Sequence, residues 1–172
     1  MLFIYGCGIF SDSQDNLRRQ VERVMQNNDE QFRELFEQSR EHLDILRNSA
    51  FVEKSANASY EVLTYFNNGS IRLVERKNWN LIDWMNEEIY NSLIELLTNR
   101  NFPFQDIHTR ASEESSSLIV MFYEVRINRV INSGRAFFYF VYGEAWCHYW
   151  EITEPKSLGD GWYIRVDEVI GS

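Results

Sequence analysis

The sequence predicts an α+β fold in which N-terminal amphipathic helices pack on a curved antiparallel sheet. Three observations carry this expectation. Apolar residues recur at helical spacing between Leu17 and Leu46, an Asn68-Gly69 pair sits between two alternating segments, and the period changes to two from Leu118 onward.

The first helix is expected to start at Ser11, because Ser11 with Gln14 three positions later has capping-box spacing. Leu17, Val21, Val24, Met25, Phe32, Leu35, Phe36, Leu43 and Leu46 then form one stripe, leaving Arg18, Glu22, Arg33, Glu37 and Arg40 in water. Asn27-Asn28-Asp29 interrupts that stripe and predicts a kink or a fresh N-cap, hence one bent helix or two in succession. Asn68-Gly69 is the preferred pair for a type I′ turn, since both positions need positive φ. Pairing outward sets Phe66 opposite Ile71, Thr64 opposite Leu73, Leu63 opposite Val74 and Glu61 opposite Arg76.

Asn80–Asn99 reads as a helix with Ile82, Met85, Ile89, Leu93, Leu96 and Leu97 inward, and Pro103 lies just past its end. Residues 105–117, with Glu113-Glu114-Ser115-Ser116-Ser117, read as a polar loop. In the strand that follows, Ile119, Met121, Tyr123, Val125, Ile127 and Ile131 share one face, with Glu124, Arg126 and Asn128 on the other. Asn132-Ser133-Gly134 turns the chain into Ala136–Ile152, a run too long for one flat strand, in which Gly143 marks a bulge or bend. A turn at 157–161 and a last strand from Trp162 to Val169 complete a three-strand meander. No linker or repeat divides residues 1–172, so one domain is expected.

Charge restricts the partners. Residues 1–77 carry 12 acidic and 10 basic side chains, whereas residues 78–172 carry 14 acidic and 7 basic. An acidic second half repels phosphate backbones and anionic lipid, so nucleic acid is excluded as a partner. It leaves two readings: solubility, or attraction of a basic protein. No stretch approaches the roughly 20 apolar residues of a membrane-spanning helix.

Cofactor and metal chemistry find no footing. Cys7 and Cys147 are too far apart for a disulfide framework, and His42, His108 and His148 are scattered, without zinc-ligand spacing. The expected state is a pair of buried thiols in a reducing, cytoplasmic setting. The Ile4-Tyr5-Gly6-Cys7 stretch also resembles the end of a bacterial lipoprotein signal, in which an aliphatic and a small residue precede a lipidated cysteine. That resemblance implies an envelope lipoprotein anchored through Cys7, if translation starts upstream of Met1. Gly6-Cys7-Gly8 lacks the third glycine of a dinucleotide fingerprint, Ser11 standing there, and reads as a tight turn. No catalytic residue, cofactor or metal ligand is assigned.

The run from Phe137 to Trp150 holds eight aromatic residues, and neither of its faces is polar. If no bulge intervenes, Phe138, Phe140, Tyr142, Trp146 and Trp150 fall on one face and Phe137, Tyr139, Val141, Cys147 and Tyr149 on the other; a bulge near Gly143 swaps the faces of one half. Antiparallel sheets normally keep one wet face, so the second face must be covered, enclosed as a pocket or offered to a partner. The order of elements resembles the cystatin-like and nuclear-transport-factor-like cone folds, in which a long helix packs in a bent sheet.

The leading expectation is a non-enzymatic binding protein, an inhibitor or bacterial immunity-type protein that neutralises a basic partner such as a nuclease toxin. Glu144, Trp146, Tyr149, Trp150, Glu151 and Glu154 are its expected contact residues. The alternative is a small-molecule pocket with Tyr142 and His148 as polar contacts among rings.

Overall fold

A computed structural model describes residues 8–51, 60–67, 70–75, 87–111, 116–128, 133–143 and 152–170. The elements run α1 (Gly8–Phe51), β1 (Tyr60–Asn67), β2 (Ser70–Glu75), α2 (Glu87–Thr98), β3 (Asp106–Ala111), β4 (Ser116–Asn128), β5 (Ser133–Tyr142), β6 (Lys156–Gly159) and β7 (Trp162–Ile170). The strands form one sheet in the order β2-β1-β3-β4-β5-β7-β6, with antiparallel pairing throughout. The α+β class and the antiparallel sheet are therefore as expected.

Helix α1 is 44 residues long, about 66 Å at the standard rise. Its stripe seals the sheet. Leu17, Val21, Phe32, Phe36, Leu43 and Leu46 are buried in one core with Ile89, Leu93, Leu96 and Leu97 of α2 and the near face of β4, β5 and β7. Ring geometry locks that contact. Phe32 lies edge-on to Phe122 at 5.1 Å, and Phe36 is edge-on to both Phe140 (5.4 Å) and Trp162 (5.5 Å).

One expectation about α1 is corrected: the helix already includes Ser11, so Ser11 is not its first residue. Of the alternatives left open at Asn27-Asn28-Asp29, the structure has one continuous helix and not two in succession. The Asn28 amide donates to the Val24 carbonyl at 2.9 Å, and Asp29 pairs with Arg33 one turn on and with Lys156 of β6. Polar groups that would favour a cap are thus satisfied within an unbroken helix and against the sheet edge. Arg33 and Arg40, expected in water, are half-buried: Arg40 binds Asp160, Glu37 and Asp44, and Arg33 donates to the Ser157 carbonyl at 3.4 Å.

The hairpin register is as read from the sequence, with Phe66 opposite Ile71, Thr64 opposite Leu73 and Leu63 opposite Val74. The Asn68-Gly69 turn and Arg76 lie outside the described residues. The predicted loop at 105–117 is a correction. Asp106–Ala111 is a strand paired on both edges, with β1 and β4, and it joins the hairpin to the C-terminal strands. Backbone pairing on two sides outweighs its polar composition, and buried Ile107, opposite Val120, is its apolar anchor. In the last third, Ser157 to Gly159 belong to strand β6, and the chain reverses at Asp160-Gly161, both at positive φ.

A bulge between Met121 and Tyr123 overturns the single face predicted for β4. Ile119 and Met121 oppose Val141 and Tyr139 on the face away from α1; Tyr123, Val125 and Ile127 oppose Phe138, Ala136 and Gly134 on the helix face. The inserted residue, Phe122, also turns toward the helix, stacking on Phe140 at 4.1 Å. Strand β5 ends at Tyr142, and Gly143 follows at φ 94° as the bend expected there; residues 144–151 of the run lie outside the described residues. Within β5 the two predicted faces hold: Phe138, Phe140 and Tyr142 oppose Val166, Ile164 and Trp162, while Phe137, Tyr139 and Val141 oppose Asp167, Arg165 and Tyr163.

The second face of the sheet is not bare. Val141 is fully buried, Ile119 and Met121 are buried, and Phe137, Tyr139 and Tyr163 are half-buried there. Its far end turns polar, where both carboxylate oxygens of Glu124 accept from Arg126 at 2.8 Å and Arg135 lies at 3.9 Å.

Candidate functional site

Of the residues expected to meet a partner, Glu154 is described and exposed; Glu144, Trp146, Tyr149, Trp150 and Glu151 lie outside the described residues. Tyr142 is described, whereas His148, Cys147 and Cys7 are not. The Tyr142 ring is held by packing. The Arg47 guanidinium lies 4.9 Å from its centre on one side, and Trp162 is tilted against it at 5.4 Å. Gly161, at φ +82°, lets the ring approach, since a Cβ there would come within 3.0 Å of it. Glu154 borders a shallow groove between α1 and the segment before β6, beside Arg18, Glu22 and Lys156.

His42 joins the helices. Its Nδ1 lies 3.3 Å from the buried Ser92 hydroxyl of α2, and its ring is edge-on to Phe102 at 6.3 Å. This histidine has a partner and an apolar neighbour and serves as a tie between α1 and α2. Among the described residues, no group of three His, Cys, Asp or Glu side chains is placed to hold a metal ion. No described helix is long and apolar enough to cross a membrane.

The structure brings together two features the sequence reading did not single out. The first is a groove of about 400 Å³ between α1, the chain after α2 and the bulged part of β4. Its floor is made by Phe32, Phe122 and Tyr123, and Leu35 and Pro103 flank it. Asn28, Gln31, Gln38 and Asn101 place carboxamides around the rim, with Glu34 among them. The bulge creates it: without the extra residue, Tyr123 would point to the far face. The second is the outer face of α2, where Glu87, Glu88 and Glu95 are exposed and Tyr90 is 49% exposed. Tyr90, three positions before Leu93, stands beside the stripe's edge, so its exposure was not legible from spacing.

Among the described residues, two carboxylates are displaced from ordinary behaviour, in opposite directions. The Lys156 ammonium, backed by Arg33, holds the Asp29 carboxyl below the usual range. Asp29 therefore contributes stability at neutral pH that is lost as pH falls through its lowered value. Burial, with Asp167 next in the chain, pushes Glu168 upward. The sign is reversed for Glu168. In strong acid both folded and unfolded chains hold the proton and the site is neutral in cost. As pH rises from the ordinary glutamate value to the raised one, the unfolded chain loses its proton first, and folding weakens. Glu168→Gln is expected to raise the thermal midpoint at pH 7 and leave it unchanged at pH 3, as a pair of calorimetric scans would show; an equal effect at both pH values would contradict the burial of a charge.

Comparison of the chain with protein-family models, curated proteins and solved structures finds no match, so its surfaces carry the functional reading.

Proposed function

We propose that the chain is a non-enzymatic binding protein for a basic protein partner, in the manner of an inhibitor or immunity protein that neutralises a nuclease toxin. The observation that carries this reading is the solvent face of α2. Its sequence, EEIYNSLIELLT, contains three carboxylates and no basic residue; Tyr90 is exposed one turn on from Glu87, and Glu88 and Glu95 lie toward the other edge of the same solvent face. A tyrosine supplies apolar area and a polar tip at low entropic cost, and carboxylates on the same helix accelerate and orient the arrival of a cationic surface. The acidic excess of residues 78–172 extends the same field. Glu144, Trp146, Tyr149, Trp150, Glu151 and Glu154 are the second part of the proposed contact, five of the six being aromatic or acidic residues between Gly143 and Ile152.

The test uses basic proteins encoded beside this chain's gene, each purified and titrated against the full chain. One of them is expected to bind with an association rate that falls steeply between 50 and 300 mM salt, roughly tenfold or more. Joint replacement Glu87→Gln, Glu88→Gln and Glu95→Gln is expected to slow association, and Tyr90→Ala to speed dissociation by about tenfold. All four positions are exposed, so circular dichroism should be unchanged. Absence of binding by every such protein, or binding indifferent to all four substitutions, would overturn the reading.

A further inference from the structure

The groove over Tyr123 is distinct from the α2 face, and its charge is one-sided. Asn28 spends one N–H of its carboxamide on the Val24 carbonyl (2.9 Å) and Gln38 spends one on Glu34 (3.1 Å), so each keeps a carbonyl acceptor and one further N–H. Glu34 adds a carboxylate, and among the described residues no Lys, Arg or His lines the groove. The local charge is therefore negative, and the carboxamides supply both donors and acceptors. Anionic ligands are disfavoured, and a cationic ligand is preferred.

Shape narrows the class. The lining positions on α1 run from Asn28 to Gln38, eleven residues whose ends are about 15 Å apart along the helix. That length accommodates about four or five residues of extended chain at 3.3 Å each. Tyr123 is 40% exposed, yet its ring is held at 5.6 Å from Phe32 and edge-on to Phe138 at 5.5 Å. A fixed, half-open ring on an apolar floor is a seat for one apolar side chain.

We propose that this groove binds an extended cationic peptide segment, with an aromatic or aliphatic side chain seated on Tyr123, a lysine or arginine beside Glu34, and main-chain N–H groups donating to the rim amides. The proposal deepens the reading above, since such a segment would belong to the basic partner. Its test needs no partner, so its failure leaves the α2 contact standing.

The probe is the peptide acetyl-Gly-Lys-Trp-Arg-Gly-amide, titrated into the isotope-labelled full chain and followed by NMR. Saturable shifts are expected at the side-chain NH2 groups of Gln31 and Asn101 and at the Tyr123 amide, in the high-micromolar to millimolar range, that is about −4 to −5 kcal/mol. Glu34→Gln, an exposed and isosteric change, is expected to weaken binding about fivefold and to flatten its salt dependence. The same peptide with Glu in place of Lys and Arg is expected to produce no shifts. Four results would overturn the proposal: no groove shifts at 5 mM peptide, equal shifts from the acidic peptide, an affinity unchanged by Glu34→Gln, or cellobiose shifting the same signals as strongly. The last would reassign the groove to a neutral saccharide.

Discussion

Trp162→Ala is expected to lower folding stability by about 3–5 kcal/mol, the range for emptying a large aromatic site in a close-packed core. Trp162 is fully buried and is the largest such side chain among the described residues. It joins three elements at once: its ring meets Phe36 of α1 at 5.5 Å and Tyr142 of β5 at 5.4 Å, and its indole N–H donates to Asp44 at 3.4 Å. Truncation leaves a cavity lined by rings that cannot collapse into it, and it strips Asp44 of that donor. Urea unfolding monitored by far-ultraviolet circular dichroism measures the loss. Tyr90→Ala, at an exposed ring, is the matched control and is expected to stay within about 0.5 kcal/mol of the parent chain. A Trp162→Ala cost near that of the control would mean that α1 does not pack on β7 as described.

Glu30→Pro is the second large effect, with an expected cost of about 3 kcal/mol or more. Glu30 is exposed, so the substitution disturbs no core contact. Its consequence depends only on whether the backbone is helical on both sides. In an unbroken α1, proline removes the hydrogen bond to the Gln26 carbonyl and clashes with that turn. In a helix restarted at Asp29, the same residue would occupy the first helical position, where proline is well tolerated. Near-neutral unfolding energetics for this variant would restore the two-helix reading; a loss of several kcal/mol, together with weaker protection of the amides after residue 26 in hydrogen exchange, is the expected result.

Features that depend on neighbouring residues alone were legible. The apolar stripe of α1, the inward face of α2 and the hairpin register around Asn68-Gly69 all follow from side-chain period or turn stereochemistry, and the structure places them accordingly. The two faces of β5 follow from the same alternation. Strand β3 was not legible because one buried apolar residue, Ile107, gives no periodic signal; its conformation is imposed by ladders on both sides. The Asn27-Asn28-Asp29 segment left one helix and two equally open for a related reason, since what decides it, the engagement of Asp29 by Lys156 and of Asn28 by the preceding turn, is tertiary or already helical.

The candidate surfaces divide in the same way. The acidic balance of the second half and the doubly apolar character of β5 are properties of composition and order, readable from the chain without coordinates. The Tyr123 groove is not, because a single inserted residue at Phe122 reverses the facing of everything beyond it, and period-two counting cannot register an insertion. Alternation and turn chemistry act over a few residues and were settled along the chain; the bulge, the unbroken α1 and the joining of seven strands arise from contacts between segments remote in sequence, which exist only once the chain has closed on its core.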